Sequence, residues 1–256
     1  MSGKRILALV MCLCALVSFA CAEESNEELL QDFVLNHAER STPKIAITVD
    51  DCYKSAQEWI RRDVELCAQF GIQMTFFPLV YTGCLEEKYR DLWQGVLDAG
   101  CEIGTHTNRH LEIGSRDTLS IYGAFGHWQE ALDKTLGYHY ETRWFRPPYG
   151  SIEDTKKHSS GDSRVINAVK KFGYDHAVRW DVSETIDMDK ALDRIQNGSI
   201  LLFHAKKKDT LFLEKLIPEL QARGFEMVTV SALFGFDPPE TGEELYVYNQ
   251  AEWKGK

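Results

Sequence analysis

From residue 44 onward the chain alternates between two hydrophobic patterns. Short runs with the near-continuous apolar character of strands covered on both faces fall at residues 44–49, 72–79, 102–105, 144–146, 176–180, 199–203 and 225–230. Longer stretches with apolar residues three and four apart, the helical period, lie between them at 55–70, 85–99, 118–136, 163–172, 188–195 and 210–222. Gly71, Gly100, Gly137 and Gly173 stand at the ends of four of these stretches, as helix C-caps commonly do. Seven strands separated by six helices imply parallel strands joined by crossover helices, an α/β fold. The simplest architecture is a closed or nearly closed, distorted (β/α)7-type barrel, TIM-barrel-like but short of the usual eight units. A doubly wound open sheet is the alternative; it usually carries a Gly-rich first turn, and no G-x-G-x-x-G occurs. Residues 23–43 read as an acidic leader forming one helix outside the barrel, and 44–235 as the barrel. Residues 236–256 read as a tail, where Pro238, Pro239 and Gly242 break any period.

The 256-residue length suits one large barrel, since such domains run to about 200–250 residues. A hydrophobic fraction of 44% with 27% charged residues excludes a disordered or fibrous chain. The formal charge of −10 lacks the basic footprint that nucleic-acid binding requires. Residues 1–22 have the form of a secretory signal: Lys4 and Arg5, an apolar run over 6–20, and Ala20-Cys21-Ala22 ahead of Glu23 and Glu24. The expectation is export, to the medium, the periplasm or the cell envelope. An uncleaved anchor, or a lipoprotein box with Cys21 lipidated, are the two other readings and the two routes to a membrane. Cleavage after Ala22 leaves Cys52, Cys67, Cys84 and Cys101, an even count that permits disulfides; four half-buried thiols are the alternative.

Polar residues collect at the strand ends: Asp50 and Asp51 at the first, His106 and His110 after the third, Arg146 and Tyr149 at the fourth, Trp180 and Asp181 at the fifth, His204 at the sixth. In a barrel these ends share the rim on which active sites are built. His106-x-x-x-His110 puts two imidazoles on one face of a helical turn, within reach of one ion. A carboxylate from the Asp pair completes a two-histidine, one-carboxylate set with a position open for water, suited to zinc or to non-haem iron. The second aspartate is then free to take a proton; a strand-end turn or helix cap is the structural alternative for the pair. Cys52 can be a soft ligand, a disulfide partner or packing. His204 is placed to donate a proton into the cleft, or is a satisfied core histidine. Trp144 and Trp180, near the rim, either offer a flat stacking face to a ligand or pack in the core. Lys206-Lys207-Lys208 either meets an anionic group or is a solvated loop.

In this order, the residues resemble the polysaccharide deacetylases with a NodB homology domain, carbohydrate esterase family 4. Thr48-Val49-Asp50-Asp51 is similar to that family's T-F-D-D, His106-Thr107-Asn108-Arg109-His110 to its H-[ST]-x-x-H, and Arg146 to Gly150 to its R-x-P-Y-G. Trp180-Asp181-Val182 resembles the start of its fourth motif, and Leu202-Phe203-His204 its L-x-H. The resemblance spans about residues 44–233 and implies a distorted βα barrel. It implies a hydrolase that removes acetyl groups, N-acetyl ahead of O-acetyl, from a glycan such as peptidoglycan or chitooligosaccharide, in keeping with the export signal. Asp51, His106 and His110 then hold a divalent metal, Zn2+ or else Co2+. Asp50 is the general base, Arg146 orients it, the Tyr149 N–H helps hold the oxyanion, and His204 is the general acid. Three departures stand out. Ser183 occupies the place of the aspartate that holds the acid histidine in the family, leaving Asp181, Glu184 or Asp187 as substitutes or a histidine tuned differently, Met188 stands where a tryptophan often packs, and Cys52 replaces a glycine. A non-catalytic carbohydrate-binding protein on the same fold and a metal-dependent hydrolase of another small amide are the competing functions.

Overall fold

The computed structural model describes residues 33–152 and 163–253; the expected signal at 1–22, with Cys21, and most of the leader lie outside them. In chain order the elements are β1 (Val34–Leu35), β2 (Lys44–Asp50), α1 (Gln57–Phe70), β3 (Met74–Phe77), α2 (Arg90–Asp98), β4 (Glu102–Ile103), α3 (Thr118–Leu136), β5 (His139–Tyr140), β6 (Trp144–Phe145), α4 (Ser163–Lys171), β7 (His176–Val178), α5 (Met188–Arg194), β8 (Ile200–His204), α6 (Lys207–Ala222), β9 (Glu226–Val228), α7 (Val230–Phe234) and β10 (Thr241–Gly242). The seven expected strands correspond to β2, β3, β4, β6, β7, β8 and β9, and the six expected helices to α1 through α6.

β2 is the central strand. It runs parallel to β3 on one side; on the other, β8 pairs with its second half and β9 with its first. The order β4-β3-β2-β8 forms one parallel sheet and β1-β7-β6 a second. Two single parallel bridges, Thr105 with Phe145 and Val182 with Leu201, join them. With an antiparallel bridge of His37 and Ser199 beside them, the result is a barrel-like ring whose two sheets are joined by isolated bridges, without one continuous closed sheet.

The strand period of two sorts the side chains. Ile45, Ile47 and Val49 of β2, Met74 and Phe76 of β3, Ile103 of β4, and Leu201 and Phe203 of β8 pack outward in one apolar cluster with α1, α2, α3 and α6. The alternate residues, Ala46, Phe77, Trp144, Val178 and Ile200, share an inner cluster with Val230 and Leu233 of α7. Following that inner parity up the strands reaches Thr48 and Asp50 on β2, Arg146 after β6 and His204 on β8. One face of each strand therefore builds apolar core at the bottom of the ring and polar chemistry at the top. Gly104, between β4 and His106, lies where a Cβ would fall 2.2 Å from the Phe77 ring, so only glycine lets that segment close against β3.

Three expectations change. The described part of the leader does not form an external helix: Val34 and Leu35 pair with Ala177 and Val178, and Phe33 and Val34 are buried, because unpaired β7 backbone offers a ladder to residues with apolar side chains. The tail folds back: Thr241 and Gly242 pair antiparallel with Tyr140 and His139, and Tyr248 lies over Gly126 of α3. Lys207 and Lys208 are not loop residues but open α6. Of the two readings of Trp144 the core one holds: it is fully buried, with its indole N–H on Ser231 Oγ at 2.9 Å.

Candidate active site

Asp50 is the last residue of β2, buried, and in register with His204 on the neighbouring strand. Arg146, fully buried, donates from one guanidinium nitrogen to both carboxylate oxygens of Asp50, each at 3.3 Å, and from the other to Thr48 Oγ1 at 3.0 Å. Thr48 in turn donates to the Leu201 carbonyl at 2.8 Å. The guanidinium is stacked between rings, 4.7 Å from the Phe77 centroid and 5.4 Å from that of Trp180. Burial pushes the Asp50 carboxyl above its ordinary value, and Arg146 is the largest influence pulling it back.

Asp51 turns the chain off β2 with φ +64°. Thr107 at +69° and Tyr149 at +59° are the two other non-glycine residues in the left-handed region among the described residues. A β-branched residue there is a genuine outlier, and all three lie within one residue of, or at, a position the motifs single out. His106 and His110 do not sit on a helical turn as the spacing implies. Residues 106–110 form a bend, held by Thr107 Oγ1 donating to the Arg109 carbonyl at 2.7 Å and by Tyr81 N–H donating to the Asn108 carbonyl at 2.9 Å. The bend still brings the imidazole centroids to 5.1 Å from each other, and Tyr149, exposed on its turn, meets the His110 ring edge-on at 4.3 Å.

Asp51 Oδ1 lies 3.6 Å from His106 Nε2 and 3.8 Å from His110 Nε2, and it is buried without a hydrogen-bond partner. Ligand atoms of the three residues all fall within 4.8 Å of one another. Tetrahedral zinc, with bonds of about 2.0–2.1 Å, places its ligand atoms about 3.4 Å apart, so the spacing fits. The tautomer fits as well. His106 Nδ1 lies 2.7 Å from the Arg146 carbonyl, which only accepts, so Nδ1 carries the proton and Nε2 offers a lone pair to the centre. Burial lowers the His106 pKa, favouring the neutral ligand form. Cys52 points away, fully buried, its Sγ on the Val49 carbonyl at 3.8 Å; it is no ligand. All four described cysteines are free and buried, with the Cys67 and Cys101 sulfurs 3.5 Å apart.

His204 ends β8 half-buried. None of the three carboxylates offered by the sequence reaches it. Asp181 receives Arg40 at 2.9 Å, Ser199 Oγ at 2.9 Å and the Ile200 N–H at 2.8 Å. Glu184 receives the Ile186 and Asp187 N–H groups, and Asp187 caps α5. The carboxylate beside His204 is Asp209, fully buried in the first turn of α6, with Oδ2 accepting the His204 N–H at 2.8 Å and lying 3.4 Å from His204 Nδ1. Sequence reasoning misses it, although an acid five residues after an L-x-H histidine was a usable signal.

The sequence profile of the family described as "Polysaccharide deacetylase" matches residues 37–177, more than half of the chain. The chain belongs to that family. A peptidoglycan-N-acetylglucosamine deacetylase of Bacillus cereus is 26% identical over 75% of this chain and 68% of its own length. Chitin deacetylase 1 of Saccharomyces cerevisiae is 32% identical over 56% of this chain and 40% of its own. A crystal structure of a Bacillus anthracis protein described as a CE4 family pseudoenzyme superposes with a TM-score of 0.65 at 19% identity, covering 78% of this chain and 68% of that one. The fold is thus the barrel-like α/β fold of those proteins. The chain spans 62%, 68% and 40% of the first three curated relatives it matches. The profile ends before His204, so the pairing of Asp50 with His204 rests on the geometry above.

Proposed function

We propose that this protein is an exported, metal-dependent deacetylase that hydrolyses N-acetyl groups on a glycan of the peptidoglycan or chitin class. What carries the reading is a single arrangement. A buried, partnerless carboxylate oxygen and two imidazole nitrogens converge on one point, and an arginine-held aspartate and a histidine flank it on adjacent strands. Asp51, His106 and His110 would hold the divalent cation, zinc by the donor set, which when bound supplies Lewis acidity and lowers the pKa of water toward about 7. Asp50, kept in place by Arg146, takes a proton from water as the oxygen adds to the acetyl carbonyl. The Tyr149 N–H stabilises the tetrahedral oxyanion; one such donor is worth about 3–4 kcal/mol in comparable sites. As the C–N bond breaks, its electron pair goes to nitrogen and His204 delivers the proton that completes the amine. Acetate leaves, and the glycan keeps a free amino group.

The signal-like residues 1–22 support export, where such polymers occur. Among the described residues no helix is long and apolar enough to cross a membrane. The fold also hosts an inactive relative, so a glycan-binding role without catalysis is the second reading. Asp50, Asp51, His106, His110 and His204 are all present here and brought together, which favours catalysis.

The test is acetate release from N-acetylglucosamine oligomers and peptidoglycan fragments, stopped by chelator and restored by zinc or cobalt. Asp50→Asn should bind metal normally and release no acetate. A fully active Asp50→Asn protein removes the base assignment, and a metal-loaded protein that releases acetate from no glycan in the panel removes the function.

A further inference from the structure

His204 needs a partner at Nδ1 if Nε2 is to face the leaving nitrogen, since a neutral imidazole carries its one proton on either nitrogen and the neighbour of the other decides which. Ser183 stands where the family resemblance places that partner, and the three nearby carboxylates are committed elsewhere: Asp181 to Arg40 and Ser199, Glu184 to two backbone N–H groups, Asp187 to the α5 cap. Asp209 comes instead from the first turn of the helix that follows His204. It is fully buried, and its Oδ2 gathers the His204 N–H at 2.8 Å, His204 Nδ1 at 3.4 Å and Lys206 Nζ at 3.7 Å.

The backbone contact is what makes the arrangement rigid. Asp209 grips the main chain and the side chain of the same residue, so the imidazole is referenced to its own strand. On β2, Asp50 is paired across from His204 and is held by Arg146, leaving it no freedom to serve as the Nδ1 partner.

We propose that Asp209 is the positioning residue of the acid histidine: it accepts the Nδ1 proton of His204 and so fixes Nε2 as the nitrogen that gives its proton to the departing amine. The inference rests on the reading of His204 as general acid. After transfer, His204 is neutral with its remaining proton on Nδ1, still on Asp209, and ready to be recharged at Nε2. The groups that face the imidazole are Asp50 from β2, Lys206 from the turn before α6 and Asp209 from α6 itself.

Asp209→Ala is the informative variant. One atom, Oδ2, meets both the His204 N–H and Nδ1, so an asparagine oxygen in its place would leave the tautomer as it is, whereas alanine removes the acceptor and releases Nδ1. Two readouts are combined on the intact chain. Nitrogen-15 spectra of the histidines, with His204 assigned from His204→Gln, should show Nδ1 protonated in the parent and Nε2 protonated in Asp209→Ala. Turnover of N-acetylchitotetraose is compared with that of 4-nitrophenyl acetate, whose leaving group needs no proton. Asp209→Ala should lose about 100-fold in kcat on the amide, with KM little changed, and the ester-to-amide ratio should rise at least tenfold; Asp209→Glu, which keeps a carboxylate, should recover part of the loss. An unchanged tautomer, or equal losses on amide and ester, overturns the proposal. If the tautomer follows Asp209 while the parent turns over neither compound, the positioning holds and the deacetylase reading fails.

Discussion

Arg146 offers the most quantitative test of how the site is built. Its guanidinium is fully buried and touches both oxygens of a carboxylate that is itself almost fully buried, at 3.3 Å each. Arg146→Met keeps an apolar stem of similar length between Phe77 and Trp180 but leaves Asp50 as a buried charge with no counter-ion. Removing one partner of such a pair costs about 3–5 kcal/mol, because the survivor keeps its desolvation penalty. At about 2–4 °C per kcal/mol for a chain of this size, the melting temperature should fall by about 6–20 °C. The companion variant Asp50→Asn removes the charge that makes the loss so large. In the double variant the two losses should therefore fall short of their sum by about 2–3 kcal/mol. Urea unfolding of all four proteins, followed by tryptophan fluorescence in chelator so that metal linkage does not enter, measures the cycle. An Arg146→Met loss below about 1 kcal/mol, or single losses that simply add, would refute the claim that Arg146 is there to neutralise Asp50.

Three further outcomes follow from other contacts. His110→Ala removes one of the three proposed metal ligands and should weaken zinc binding more than about 100-fold, read as lost stoichiometry by elemental analysis; an unchanged metal content contradicts its place in the triad. Asp63 is buried on α1, and burial, with Asp209 near, pushes its carboxyl up to about 8. Its folded value lies above the unfolded one, so the stability it contributes is whole below about pH 4 and drains by about 1.4 kcal/mol per unit as pH rises toward 8. Asp63→Asn should therefore gain on the parent between pH 5 and pH 8 in urea titrations, and a pH-independent difference would sink the argument. Gly126→Ala should destabilise by about 1–3 kcal/mol despite alanine's helix propensity, since its Cβ would lie 1.9 Å from Tyr248 Cδ2; Tyr248→Ala should relieve that loss, and a stabilised single variant would show that the tail does not pack on α3.

Much of this was legible in the sequence because strand parity is a local rule. The same period of two that buries Ile45, Ile47 and Val49 against helices aims Thr48 and Asp50 inward, and the rule repeats at Arg146 and His204. α3 is read to its exact ends because both are marked: Asp117 Oδ1 accepts the Ser120 N–H, and Gly137 takes φ +88°. What was hidden depends on partners far along the chain. β1 is two residues long and becomes a strand only against β7, and the Tyr140–Thr241 pairing joins residues 101 apart. The two histidines four residues apart were read as a helical turn since that spacing is the helical one. The actual bend needs Thr107 in the left-handed region and a hydrogen bond from Asn108 to Ala124, neither of which spacing encodes.

The missing partner of His204 has the same origin at a smaller scale. Periodicity starts the helix at residue 210, which leaves Asp209 just outside it. The helix begins at Lys207, and its flanking residue Lys206 makes no capping hydrogen bond. Three residues of boundary thus place Asp209 inside the first turn, where it is fully buried and turned on His204. An uncapped start is the weaker local choice, and it falls beside the strand end that carries His204, the proposed acid. That is the pattern expected if α6 is set by the needs of the site rather than by the easiest way to start a helix.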